Sequence, residues 1–560
     1  MILTNRKRGG YVFLMGLFAL VICMILGIST IRIASNTQYI TSRQQSSAEA
    51  VELADAAINT GQAYLRVQAI PPTVYVRYPA TGTISMSTGT YFVEIYPITN
   101  SLNAWMRNYK IVGTGTATRY GTIKKITIQL SPRSFSQYGY FEDTGLSNNY
   151  WVTDLSSFHG PFHSNGNGGT RQVNIVWKKT DTRDPYDPSY PYIFYDTAST
   201  SCTDMAWGSS GKPSTDAQWH KIFAGGQSAL TTSSDIVPFP TIATEQRDSS
   251  YGAIPPTATQ ANMGVYLNAT VSSAGIYINS FDQPVTTVFS VGTSGEQIVT
   301  INHNIWNGTK YVAKITEITI NLAANTTSVR TKTGTTAFTG NETLPFSITG
   351  SFTTPTLSAG IPNGVLYCTG AIKGVNGVLA DNYVVNNNIV RDNYWTIATD
   401  FTRGASANIT IANNLTYQHE PDFTLPMTHA NNIRVPALGL IANQIRVKGN
   451  VTPDTNYDHV AHPTTTAKDF FINGVMMGLG NESAGSIYVE DIGNQKLMGG
   501  LYILGGSVVK TAAITGQFSG TTLQYGYTEH YSYDPRMAEG PLTAFPSTNQ
   551  YDILSWQVTQ

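Results

Sequence analysis

The chain has 560 residues, enough for more than one hydrophobic core, and only 12% of them are charged, with a formal net charge of -1. This balance argues against a nucleic-acid partner, which would require a basic patch. Because 41% of the residues are hydrophobic and 11% aromatic, the low charge is not that of a disordered chain.

An uncharged run near the N-terminus predicts a membrane-spanning helix. Arg6, Lys7 and Arg8 precede Tyr11–Ile31, a run long enough for a hydrocarbon core of roughly 30 Å. The positive-inside rule predicts a cytoplasmic N-terminus and a body outside the cytoplasm. A cleaved signal peptide would have a shorter apolar core, and a lipoprotein signal would not place its cysteine in mid-span, where Cys23 stands. A plain anchor and a pilin-type leader remain open.

The span is predicted to continue, over residues 32–70, as an amphipathic helix. Apolar and small residues recur there at helical spacing: Ala50, Leu53, Ala54, Ala57, Ile58, Gly61 and Leu65. Polar residues occupy much of the other side: Ser46, Ser47, Glu49, Glu52, Asp55, Asn59 and Gln62. Pro71 and Pro72 end the pattern. The sequence therefore predicts one helix of roughly 60 residues, about 90 Å long.

This N-terminal organisation resembles type IV pilins and pseudopilins, and residues 46–57 are similar to the Ala/Glu-rich stretch of PilX-type minor pilins. In that family a prepilin peptidase cuts after the leader glycine. The resemblance implies a leader over residues 1–10, cleavage after Gly10 and a mature chain beginning at Tyr11. Met15 stands where major pilins carry a glutamate, and Tyr11 stands where phenylalanine is usual. The resemblance thus implies a minor or tip-like subunit that contacts other pilin-like subunits through its helix. An uncleaved membrane anchor is the alternative.

After Pro72 the period of the apolar residues changes from 3.6 to 2, which is typical of β-strands. Over residues 71–140 we expect a small antiparallel sheet packed on the second half of the helix. Residues 141–350 are predicted to be β-rich with a variable insertion, in which residues 285–322 form an added hairpin or small sandwich. The predicted fold is therefore mainly β with one long N-terminal helix.

Short apolar runs with Gly or Asn at their ends recur over residues 351–546. This pattern favours a right-handed parallel β-solenoid, in which inward residues stack and corner asparagines can bond to one another. A β-sandwich is the alternative and would have longer strands with hairpin turns. Residues 547–560 are treated as a C-terminal tail.

Three groups of residues invite a site interpretation. His159 and His163 are four apart, but Gly160 and Pro161 between them argue against a helix, so a turn and a strand are favoured over a metal site. The acidic residues Asp181, Asp184 and Asp187 lack regular calcium-loop spacing, and a solvated turn is favoured. The residues 527–536, which include Glu529 and Arg536, are interpreted as a cap on the solenoid rather than an active site or sugar platform.

Two cysteines, Cys202 and Cys368, lie in the predicted exported part, where a disulfide between them is possible. The spacing of the cysteines fits no zinc pattern. We predict no metal, cofactor or catalytic residue.

The body also resembles a bacterial family of largely uncharacterised pilin-like proteins. The matching elements, in chain order, are His163–Gly166, Gly439–Ala442, Gly505–Lys510, Tyr533–Arg536 and Phe545–Pro546. The resemblance covers most of the chain outside roughly 170–350. It implies a fold and a cell-surface setting and no reaction.

The sequence lacks a nucleophile elbow, a phosphate loop and a zinc-protease helix. It predicts a non-enzymatic surface component of a type IV pilus or pseudopilus, with a role in adhesion, filament assembly or secretion. The alternative is a membrane-anchored protein that binds extracellular polysaccharide, or an enzyme that degrades it on the solenoid. A third option is an envelope protein unrelated to any filament.

Overall fold

The computed structural model describes residues 8–68, 72–99, 107–144, 151–166, 173–240, 244–267, 274–340, 346–448, 469–480, 486–490, 492, 497–519 and 522–559. Two compact units are present. The first comprises Met1–Ile98, Asn108–Ser131 and Asp552–Gln560, and the second comprises Thr99–Arg107 and Pro132–Tyr551. The second unit begins well before residue 351, where the sequence alone placed the start of the solenoid.

The first unit contains one long helix and antiparallel strands. The elements are α1 (Arg8–Val67), β1 (Val76–Tyr78), β2 (Ile84–Met86), β3 (Gly89–Thr99), β4 (Arg107–Ala117) and β5 (Ile123–Ser134). Helix α1 has 60 residues, which confirms the predicted unbroken helix. The leader residues 1–7 lie outside the described part of the chain.

The second unit contains short strands and short helices. In chain order they are β6 (Tyr140–Thr144), β7 (Trp151–Thr153), β8 (Ser157–His159), β9 (Phe162–Ser164), β10 (Asn174–Val176), β11 (Ala198–Thr200), β12 (Ala206–Trp207), α2 (Asp216–His220), β13 (Leu230–Thr231), α3 (Thr244–Tyr251), β14 (Gly264–Leu267), β15 (Ile276–Asn279), β16 (Val285–Val291), β17 (Gln297–Trp306), β18 (Tyr311–Asn321), β19 (Thr326–Thr333) and β20 (Thr356–Ala359).

The remaining elements follow in chain order, and the last of them, β34, belongs to the sheet of the first unit. They are β21 (Val365–Cys368), β22 (Ile372–Leu379), β23 (Tyr383–Val385), β24 (Asn388–Arg391), β25 (Tyr394–Thr399), β26 (Ile409–Tyr417), α4 (Ala430–Ile433), β27 (Ala437–Ala442), β28 (Ile445–Val447), β29 (Phe470–Gly478), β30 (Ile487–Val489), β31 (Leu497–Thr511), β32 (Gly516–Ser519), β33 (Thr522–Tyr533) and β34 (Ser547–Thr559).

The sheet of the first unit has the order β1-β3-β4-β5-β34, with β2 paired to β3. Its pairs β1–β3, β2–β3 and β4–β5 are antiparallel, as predicted. The residues 547–560 are therefore not a tail, because most of them form β34 beside β5. In this strand Leu554, Trp556 and Val558 alternate with polar residues, and the neighbour β5 is far away in the chain.

The second half of α1 packs on this sheet through the predicted stripe. Ala50, Ala54, Ala57 and Leu65 are 0% exposed, and Leu53 and Ile58 are also buried. One residue assigned to the polar side, Ser46, is buried as well, because its hydroxyl bonds to the Thr122 side chain at 2.9 Å in the turn between β4 and β5.

Two strand glycines let α1 approach the backbone of β4 closely. A Cβ on Gly113 would lie 2.4 Å from the carbonyl oxygen of Ala54, and one on Gly115 would lie 2.3 Å from that of Ala50. No side chain fits at those distances, so glycine at both positions sets the spacing between helix and sheet.

In the second unit, strands from successive parts of the chain pair in parallel. The first ladder has the spatial order β15, β21, β25, β27, β29, β31, β6, β9, β11 and β13. The second ladder contains β16, β22, β26, β28 and β30. The third ladder has the spatial order β29, β31, β33 and β8, and the first halves of β29 and β31 take part in it.

Inward side chains stack from one strand to the next along each ladder. In the first ladder Leu366, Ile397, Leu440 and Met476 align in register, and all four are 0% exposed. At one corner, the amide of Asn443 donates to that of Asn408 at 3.1 Å. These columns form the hydrophobic core of the unit.

The order of strands in the first ladder departs from chain order. β6, near the beginning of the unit, pairs with β31, near its end. A crossing segment, residues 232–240 and 244–263, lies between β13 at one end of the ladder and β14, which pairs with β15 at the other end. At the β15 end, β14 and β17 pair in antiparallel fashion with β15 and β16 and cover their edges.

Candidate functional site

The first half of α1 exposes a continuous apolar surface. Phe13, Phe18 and Ile31 are 74%, 65% and 70% exposed. The most apolar 18-residue window of the helix has a mean hydropathy of 2.7 and is 0% buried. About 20 apolar helical residues cross a bilayer, so α1 is long and apolar enough to do so.

The residues of the predicted processing site lie at the start of this helix. Gly10 is the third residue of α1, and Tyr11 and Met15 are each 76% exposed. The helix runs through all three positions without a break. Cleavage after Gly10 stays a prediction.

In the second unit, two of the sequence elements singled out above meet. Lys510 forms an ion pair with Asp143, which opposes it in the parallel register of β31 and β6. The other oxygen of Asp143 accepts a hydrogen bond from Asn165 Nδ2 at 2.7 Å. Asn165 Oδ1 lies 2.9 Å from His163 Nε2, and His163 Nδ1 lies 2.9 Å from Ser199 Oγ. The ladder register thus joins residues that are about 370 positions apart.

The serine, histidine and amide side chains of this network have the connectivity of a nucleophile, a base and its orienting group. Their surroundings favour a structural role. His163 is 4% exposed, and burial lowers its pKa. Ser199 Oγ also donates to the carbonyl of Phe162 at 3.2 Å.

Asn165 fixes the crossing segment to the ladder. Its Nδ2 donates to the Val237 carbonyl at 2.6 Å, and the Val237 N–H donates to its Oδ1 at 2.8 Å. An amide side chain therefore takes the place of a neighbouring strand's peptide group. Since both residues are buried, these bonds satisfy backbone groups that water does not reach.

Two other elements meet in the same manner. A Cβ on Gly439 would lie 2.6 Å from the ring of Phe545, so this glycine makes room for the aromatic ring. Arg536 donates to the carbonyl of Val435 at 2.6 Å and pairs with Asp534 at 2.5 Å. Each of these contacts joins two segments that are far apart in the sequence.

The residues 527–536 do not form a terminal cap. β33 lies inside the third ladder, with β31 on one side and β8 on the other. The cap prediction is wrong because it assumed that the last strands in the chain are the last in space. His530 stacks on Tyr502 with ring centroids 4.7 Å apart, within this ladder.

Two carboxylic acids point into the core. Glu142 is 0% exposed, and burial raises its pKa to about 8. Glu529 is 5% exposed, and burial raises its pKa to about 7, although Thr515 donates to it at 2.7 Å. Burial thus favours the protonated form of both, and with 0% and 5% exposure neither side chain is placed to flank a bond of a polysaccharide, as the two carboxyl groups of a glycoside hydrolase do.

The residues considered for metal binding are in turns and strands. His159 ends β8 and His163 lies in β9, with Gly160 between them at a φ of 111°. The side chains of Asp184 and Asp187 each accept a hydrogen bond from the backbone N–H two residues later, which is typical of a turn. Among the described residues, no group of three His, Cys, Asp or Glu could hold a metal ion.

No disulfide joins Cys202 and Cys368 in the described chain, and both thiols are buried. Cys368 lies in β21, and Cys202 follows β11. These strands are seven steps apart in the first ladder, roughly 30 Å at the usual strand spacing. A disulfide requires Cα atoms within about 7 Å.

No protein-family model and no curated protein match the chain. Among solved structures, the chain is similar to the crystal structure of the competence-associated pilin ComZ from Thermus thermophilus. The sequence identity is 12%, the TM-score is 0.27, and the match covers 92% of this chain and 97% of that chain. A likeness of this size carries no argument about function.

Proposed function

We propose that the chain is a membrane-anchored, non-enzymatic surface component of a type IV pilus or pseudopilus-like system. The observation that supports this most directly is helix α1, whose exposed apolar half continues without a break into a stripe buried on an antiparallel sheet. A helix of this kind can hold the first unit at a membrane, or contact the helices of other subunits after release from it.

The proposal assigns the N-terminus to the cytoplasm and the rest of the body to the outside. We further propose that a prepilin peptidase cleaves between Gly10 and Tyr11, and that the helix contacts other pilin-like subunits. Met15, in place of a glutamate, favours a minor or tip subunit. We propose that this subunit acts in adhesion, including adhesion to surface glycans, in filament assembly or in secretion.

For the second unit we propose a β-solenoid. The three parallel ladders support this architecture over a sandwich, because a sandwich is built from antiparallel pairs. A rigid body of this kind suits display, and the burial of Glu142 and Glu529 argues against their use in polysaccharide cleavage, because a glycan cannot reach them.

The N-terminal sequence of the mature protein from membranes or sheared filaments tests the processing step. We expect Tyr11 as the first residue, and Gly10→Leu should abolish cleavage while Gly16→Leu should not. Detection of Met1 as the first residue would instead support an uncleaved membrane anchor. Deletion of the gene with no change in piliation, attachment, motility or secretion would contradict the wider proposal.

A further inference from the structure

The last strand of the first unit has an exposed apolar segment at the edge of its sheet. β34 ends the strand order of the six-stranded sheet, and within the described residues no strand pairs with its outer side. Ile553, Leu554, Trp556 and Val558 are 55%, 58%, 56% and 40% exposed. An edge strand offers a row of backbone N–H and C=O groups to any incoming strand.

Most natural edges carry features that prevent such pairing, for example proline, lysine, a bulge or a very short strand. β34 has 13 residues, and neither lysine nor proline occurs in them. Asp552 is the one charged residue, and it lies before the apolar segment. By contrast, β1 at the opposite edge has three residues and includes Arg77. The open side of β34 is therefore suited to bind a strand.

We propose that β34 pairs with β34 of a second copy of this chain, antiparallel and about a two-fold axis at Ser555. In this register Leu554 of one copy lies opposite Trp556 of the other, and Ile553 lies opposite Gln557. Successive residues point to opposite faces, so the Leu554–Trp556 contacts occur twice on one face. The two Asp552 carboxylates lie six positions apart, about 20 Å, and do not oppose each other.

The segment itself makes a second copy the favoured partner. Residues 553–559 carry no charge, so pairing of two copies brings no like charges together. The same residues offer no opposite charge to a charged partner strand. A two-fold contact also closes, because the open side of β34 in each copy is used by the other copy. One strand pair is a small interface compared with the roughly 1,600 Å² of a standard complex, so we expect weak association that depends on concentration.

Crosslinking of the full chain in detergent tests the register. In a Cys23→Ser background, which removes the exposed cysteine of α1, Ser555→Cys should give a disulfide-linked dimer under mild oxidation. Ser85→Cys, at an exposed position in β2, is the matched control. Crosslinking of Ser555→Cys no greater than that of Ser85→Cys would overturn the proposed register.

Co-purification of two differently tagged copies tests the surface independently of register. Trp556→Lys should reduce recovery of the second copy at least tenfold, whereas Met86→Lys, which also replaces an exposed apolar strand residue, should leave recovery unchanged. Unchanged recovery with Trp556→Lys, in protein with an unaltered circular dichroism spectrum, would place the contact elsewhere, for example in α1, and would overturn the proposal.

Discussion

Asn165 and Val237 exchange two hydrogen bonds, at 2.6 and 2.8 Å, between a side-chain amide and a peptide group. Both residues are buried. This contact holds the crossing segment against the first ladder, and its loss would leave two buried backbone groups without partners.

We therefore expect Asn165→Ala to lower the free energy of unfolding by about 2–4 kcal/mol, since each unsatisfied group costs roughly 1–3 kcal/mol. Urea unfolding followed by tryptophan fluorescence measures this change. Asn388→Ala, at an exposed position in β24, is the control and should stay within about 0.5 kcal/mol of the parent. An equal effect of both variants would contradict the assigned role.

Gly115 governs the docking of α1 on β4. The Cβ of Gly115→Ala would lie 2.3 Å from the Ala50 carbonyl oxygen, so helix and strand must separate, at a cost of about 1–3 kcal/mol or more. Thermal unfolding in detergent, followed by circular dichroism, should show the loss. Gly27→Ala, in α1 with open space around it, should show none, and a stable Gly115→Ala protein would exclude this tight packing.

The buried Glu142 should make stability depend on pH. Its folded pKa, about 8, is above that of an unfolded glutamate, near 4.5, so the folded state binds more protons between these values. The stabilising contribution is complete below about pH 4.5 and is lost as pH rises toward 8. Glu142→Gln removes this titration. Its unfolding free energy should exceed that of the parent at pH 8, and the difference should shrink at pH 5.

The matched control for this titration is Glu52→Gln, which changes an exposed residue of α1. It should show the same difference from the parent at both pH values. A Glu142→Gln profile parallel to the parent's across pH 5–8 would mean that Glu142 titrates normally in the folded protein.

The positions of the cysteines predict a labelling pattern. Cys23 is exposed, whereas Cys202 and Cys368 are buried, and burial raises the pKa of Cys368 to about 11. A small apolar maleimide, which enters the detergent around Cys23, should therefore modify one thiol per chain in the native, detergent-solubilised protein and three after denaturation. Mass spectrometry of the labelled peptides identifies the sites. A peptide containing Cys202 linked to Cys368 would contradict the ladder order.

The helix and the first sheet could be predicted from sequence because their signals are local. The stripe from Ala50 to Leu65 repeats at helical spacing, and the strands that follow alternate at period two. Burial of Ser46 could not be predicted in this way, since its partners are in a turn more than 70 residues later.

In the second unit, the sequence indicates short strands but not the order in which these strands pair. Short runs such as Gly439–Ala442 indicate strands, but nothing local in Tyr140 or Phe141 specifies pairing with Ser507 and Val508. The sequence elements His163–Gly166 and Gly505–Lys510 were recognisable one by one. Their meeting through Asp143 required the three-dimensional register, because Asp143 belongs to neither element.

The pairing of β6 with β31 has a consequence for biogenesis. When β6 leaves the ribosome, one of its two neighbours, β31, has not yet been synthesised, and more than 350 residues must follow before it exists. Contacts this distant in sequence form slowly, and in the meantime the edge of β6 that does not pair with β9 is a template for wrong association. The second unit therefore cannot be completed step by step from its N-terminal end during synthesis, and one side of β6 has to remain open or protected until β31 has been made.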